Sequence, residues 1–175
     1  MSRRRLFFAL WPDQDTRRAI VARRKLLPED AGDQVPDYNL HMTLLFLGEC
    51  PEGSLREIQA AAGELRVPAF DLLLDRFGCF PGARVLWLGG GAPKAADELV
   101  GGLTGAMKEI VPELNRGPWR PHVTLFRKTD TRPDSLPDPE PVNWPVTGFG
   151  LVESLPGRPY QVLRTWPLII SPDVA

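Results

Sequence analysis

At 175 residues, with 43% of them apolar, the chain is sized for one compact domain, or two small lobes sharing a core. A formal net charge of −1 gives no global basic field, so coating of extended duplexes is excluded. A nucleic-acid partner would have to meet a local basic patch, or present only a chain end. Cys50 and Cys79 form no CxxC pair, which excludes a disulfide framework or a structural zinc site of ordinary spacing and fits a reduced, cytoplasmic protein.

The apolar run in MSRRRLFFAL stops at Trp11–Pro12, too short for a signal h-region or a membrane span. Residues 4–10 therefore read as a first strand, and no membrane association is expected. Asp13 or Asp15 can cap a helix running to about Leu27, and the polar stretch PEDAGDQVPDYN reads as a loop. LHMTLLFLG (40–48) reads as a buried strand, and 52–65 as an amphipathic helix through Leu55, Ile58, Ala62 and Leu65. Two strands, Phe70 to Phe77 and Ala83 to Leu88, flank the turn residues GCFPGA, which predicts a hairpin. Gly89–Gly91 and Pro93 open a helix bearing Ala96, Leu99, Leu103, Ala106 and Ile110 on one side. The glycine triplet lacks the Lys-Ser/Thr of a phosphate-binding loop, so a strand-to-helix turn is expected there. PHVTLF (121–126) is the next strand, 132–145 with five prolines an irregular loop, and Val146–Val152 and Tyr160–Leu168 the last strands. The order holds two strand–helix–strand units, an internal repeat at low resolution, and predicts a single α+β domain over 1–175 with two sheets facing across a cleft.

The chemistry lies in the only two histidines. Both begin the same pattern, His41-Met42-Thr43-Leu44 and His122-Val123-Thr124-Leu125, 81 residues apart. With eight threonines in the chain, chance places Thr two residues after both histidines about twice in a thousand. On a strand, residues two apart share a face, so each histidine stands beside a threonine while the intervening residues enter the core. If the units are related by a pseudo-twofold, the result is a pocket of two imidazoles and two hydroxyls. A neutral imidazole can take a proton from water and an imidazolium can give one to a leaving alkoxide, while the hydroxyls bind non-bridging phosphate oxygens. A lone histidine on an apolar strand is ordinarily structural, and two can ligate zinc; the shared pattern argues against the first, and the lack of a third ligand at recognisable spacing against the second. No metal or cofactor is expected.

At these residues the chain resembles the 2H phosphoesterase superfamily, and within it the LigT-like RNA 2′,3′-cyclic phosphodiesterases, historically called 2′-5′ RNA ligases. The resemblance runs through RLFFAL, NLHMTLLFLG (39–48), RPHVTLFR (120–127) and a closing run from Gly157 to Leu163. It implies a bilobal fold, hydrolysis of RNA 2′,3′-cyclic phosphate ends to 2′-phosphomonoesters, His41 as proton donor and His122 as proton acceptor. The residues alone do not tell acid from base, because the motif pair is nearly symmetric. The resemblance also points to Arg127 as a phosphate ligand. Five residues after His122, however, it falls on the opposite face unless the strand ends or bulges near Phe126. Arg4 or Arg5 is a weaker candidate of the same kind. A nucleobase would want an aromatic platform, for which Phe7, Phe8, Phe46, Phe126 and Tyr160 are available; position favours Phe8 and Tyr160. A binding module without turnover, or the same chemistry on small cyclic nucleotides or 2′-5′ linkages, fits the motif pair as well. A monomer is expected.

Overall fold

The computed structural model describes residues 2–114, 117–130 and 136–171. Strand β1 (Arg3–Leu10) alternates: Leu6, Phe8 and Leu10 are fully buried in the main core, while Arg5, Phe7 and Ala9 take the other face. Burying each of those core side chains stabilises the fold by roughly 1.5–3 kcal/mol. Helix α1 (Gln14–Arg24) starts where the Asp13 carboxylate accepts from the Thr16 amide at 2.7 Å. It stops short of the predicted Leu27 because Arg24 turns inward, donating to the Val35 carbonyl at 2.8 Å and pairing with Asp37. That pair fixes the approach to His41. Within this predicted loop, Asp33–Gln34 form a short strand, β2.

Strand β3 (Met42–Pro51) pairs antiparallel with β1, and helix α2 (Leu55–Gly63) follows a 3₁₀ turn. The predicted strand from Phe70 to Phe77 is two strands, β4 (Phe70–Leu74) and β5 (Arg76–Phe80), in different sheets. The predicted hairpin exists but is displaced. β5 pairs with β6 (Val85–Gly89), and Gly78 lies inside the strand under the Trp87 ring, where an added Cβ would stand 2.3 Å from it. Gly78 thus serves packing rather than the turn. Helix α3 (Lys94–Met107) begins after Pro93 and ends before Ile110.

Strand β7 (His122–Arg127) pairs with both β6 and β2. Residues 132–135 of the proline-rich segment lie outside the described residues, and its end is not loop. Val142–Val146 form β8, paired with β4 in a two-stranded sheet that takes Pro145 opposite Asp71. Strands β9 (Gly148–Glu153) and β10 (Gln161–Pro167) complete the fold.

The two larger sheets run β10-β9-β1-β3 and β2-β7-β6-β5. In each, a motif strand pairs antiparallel with the strand that precedes it across a helix: β1–α1–β3 and β6–α3–β7. A further antiparallel strand flanks each unit, β9 against β1 and β5 against β6. This is the expected α+β architecture of two related lobes, with β3 and β7 adjacent where they meet.

Candidate active site

His41 sits immediately before β3 and His122 opens β7. Each donates its Nδ1–H to the backbone carbonyl two residues earlier, Asn39 for His41 and Arg120 for His122, both at 2.7 Å. A carbonyl only accepts, so both neutral rings carry the proton on Nδ1 and leave Nε2 as the base. His41 Nε2 lies 3.1 Å from the Thr43 hydroxyl, which donates to it in that state.

Arg127 reaches this face through a defect in its strand. Between Leu86 and Trp87 the β6–β7 register skips Leu125, so Leu125 and Phe126 are both buried and the alternation resets. Arg127 therefore returns to the side of His122 and Thr124. The first motif has the same device: β1 pairs Ala9 with Thr43 and Phe8 with Leu45, so Leu44 is the extra residue and Phe46 returns to the side of Thr43. Phe46 and Arg127 hold equivalent places, five residues after their histidines.

The side chains line two cavities that share Thr43 and Phe46. One, of about 240 Å³, is bounded by Arg5, Phe7, His41, Phe46, Arg127 and Tyr160. The other, of about 290 Å³, is bounded by Phe46, Phe80, Trp119, Arg120 and His122. Thr124, partly buried, shares the strand face of His122 but lines neither. Trp119 ties the lobes together, its indole N–H donating to the Thr43 carbonyl at 2.9 Å.

Burial pushes the His41 pKa down to about 4, against a rise from the Asn39 hydrogen bond; the charges of Arg127 and His122 lower it further. His122 is lowered too, by burial and then by Arg127, against its bond to Arg120. Both histidines thus feel one guanidinium, and in the free protein both are neutral at pH 7.

The aromatic residues divide differently from expectation. Phe8 is a correction: it is fully buried against Phe149 and Trp166 and can meet no base. Its neighbour Phe7 is the ring beside His41, at 5.2 Å between centroids. Tyr160 does line the cavity, edge-on to His41 at 5.1 Å, with its amide held by the Asn39 side chain. Phe126 is core. Arg4 is committed to a two-pronged pair with buried Glu153, at 2.8 and 2.9 Å, whereas Arg5 lies over the Phe46 ring at 4.7 Å. Unforeseen were Trp11, stacked on His41 at 5.4 Å and 9°, and Phe80, edge-on to His122 at 5.0 Å. The signal for Phe7 was present in the sequence: Arg5 cannot enter a core, so its whole face, Phe7 and Ala9 included, had to be the open one. Among the described residues, no three His, Cys, Asp or Glu side chains converge as a metal site would need.

The family model described as LigT like Phosphoesterase matches residues 10–87. An RNA 2′,3′-cyclic phosphodiesterase of Thermus thermophilus is 34% identical, over 94% of this chain and 90% of its own length. One from Escherichia coli is 36% identical, over 94% and 96%. The crystal structure of E. coli LigT complexed with 3′-AMP superposes with a TM-score of 0.87 at 33% identity, covering 95% of this chain and 99% of that one. With more than nine-tenths of its length matched in sequence and in fold, the chain belongs to the LigT-like phosphoesterases, a family whose relatives here are named RNA 2′,3′-cyclic phosphodiesterases.

Proposed function

We propose that this protein hydrolyses 2′,3′-cyclic phosphate ends of RNA to 2′-phosphomonoesters, without a metal, using His41 as proton donor and His122 as proton acceptor. The observation that carries the reading is the pair of imidazoles locked in one tautomer around a cleft in which the Arg127 guanidinium acts on both. The cyclic phosphodiester would take its place there, its non-bridging oxygens toward Arg127 and the threonine hydroxyls. Water attacks phosphorus opposite O3′ and gives its proton to His122 Nε2. The P–O3′ bond breaks and O3′ takes the proton of His41 Nε2. The division of labour follows the family resemblance.

One consequence concerns protonation. Because His41 is neutral at pH 7 in the free protein, it must take up a proton from solvent as the substrate binds. The phosphate's negative charge offsets Arg127 and raises the His41 pKa in the complex.

The test is an oligonucleotide ending in a 2′,3′-cyclic phosphate, incubated in EDTA and followed by ³¹P NMR. The expected product is the 2′-monoester, with His41→Ala and His122→Ala each slowing turnover by about 10²–10⁴-fold. A 3′-monoester product, loss of turnover in EDTA restored by zinc, or near-normal rates in either variant would overturn the reading.

A further inference from the structure

Beyond the two catalytic cavities lies a larger one of about 510 Å³, which no part of the mechanism above uses. It opens on the same sheet face as His41. Trp11, Ala9 and Val152 belong both to its lining and to the satellite cluster of Phe7 and Tyr160 around that histidine. Trp11 is the partition: one ring face lies on the imidazole, and the residue also bounds the cavity. The floor is kept low by Ala9 and by Gly150, where an added Cβ would stand 3.5 Å from both Thr165 and Val162. The rim on that side is β10, whose Val162 and Thr165 are exposed.

The lining is mostly apolar, and its one charged member is Asp13. Asp13 Oδ1 caps α1, and Oδ2 has no partner among the described residues. With a carboxylate and no cation, the cavity repels phosphate and suits a flat, uncharged group bearing N–H donors. Its volume is that of a small-molecule site. Stacking of a base on an aromatic ring contributes about 1–3 kcal/mol.

We propose that this cavity is a second nucleobase subsite, taking the base of the nucleotide that precedes the cyclic phosphate end. The inference rests on the phosphate lying between His41 and His122. The terminal nucleoside is joined directly to that phosphate and stays on the near side of Trp11, among Phe7, Phe46 and Tyr160. A base beyond Trp11 needs one more phosphodiester linkage to arrive there. The protein would then read the end of an RNA as at least a dinucleotide.

The experiment compares kcat/KM for adenosine 2′,3′-cyclic phosphate and for the dinucleotide ApA carrying the same cyclic end. The wild-type ratio should favour the dinucleotide by about tenfold or more, as one stacked base provides. Thr165→Trp and Val162→Trp, each filling the cavity from an exposed strand, should bring that ratio close to one. A wild-type ratio of one or less overturns the proposal without any variant. So does an undiminished ratio in whichever variant keeps its wild-type melting temperature. Failure of the underlying reading looks different: the wild type would hydrolyse neither substrate.

Discussion

Arg127 acts on both imidazoles at once, which makes it the side chain whose removal is most informative. The profile of kcat/KM reports the free protein, where the proposed roles require His41 protonated and His122 neutral. Both pKa values lie below 6.5, so that profile should peak on the acid side of the kcat profile, which reports the complex with its added anion. Arg127→Gln should move the kcat/KM optimum toward neutrality and lower kcat by about 10²–10³-fold, as loss of a charge-stabilising donor does. Parallel pH–rate profiles test this, and an unmoved optimum would mean that the guanidinium does not face the cleft. His41 also marks stability. Its folded pKa is about 4 against about 6.5 unfolded, so between those values the unfolded chain binds the proton and the folded chain does not. Stability therefore falls with pH from 6.5 to 4. Urea denaturation at pH 7 and pH 5 should show a larger loss for the wild type than for His41→Gln. At this scale the motif residues were readable because histidine is rare and its pattern repeats. Phe8 was misjudged because two adjacent phenylalanines look alike until the open face of the strand is known.

The bulges at Leu44 and Leu125 show why strand faces were only partly readable. Strict alternation sends Phe46 and Arg127 to the core, while the doubled apolar pairs Leu44–Leu45 and Leu125–Phe126 restore them, respectively, to the cleft. The split between β4 and β5 depended on long-range pairing with β8 and β6, which no local pattern reports. Pro145 was similarly misleading, since proline is compatible with a strand where the ladder can spare its N–H. Of the glycine triplet expected between strand and helix, Gly89 ends β6 and only Gly90 and Gly91 lie in the connection, and these two differ. A Cβ at Gly90 would stand 1.8 Å from the Leu73 carbonyl oxygen, whereas Gly91 has open space. Gly90→Ala should therefore cost more than about 2 kcal/mol, with Gly91→Ala within about 0.5, both measured by urea denaturation. Equal effects would show that β4 and the end of β6 are not in contact there.

At the scale of the whole molecule, two lobes are held in register across the cleft by β3, β7 and the bond from Trp119 to Thr43. Trp119→Phe keeps most of the ring and removes that donor. It should cost about 1–3 kcal/mol, because the Thr43 carbonyl loses its indole partner, and should lower kcat by loosening the spacing of the motifs. Calorimetry and single-turnover rates would measure the two effects, and unchanged values of both would deny Trp119 any bridging role. The two-lobed plan itself was readable from the repeated order of strand, helix and strand. The partnership of Trp119 with Thr43 was not, because it joins residues 76 apart through a backbone carbonyl.

The shared tautomer has a further consequence. Each imidazole is braced in the same way, by the carbonyl two residues before it. Microscopic reversibility requires the donor of the forward step to be the acceptor of the reverse, and a cage built alike on both sides meets that requirement without rearrangement. On the proposed roles, the direction of the chemistry is then set by which nucleophile enters beside His122, and by matched positions at which the halves differ, Phe46 and Arg127 among them.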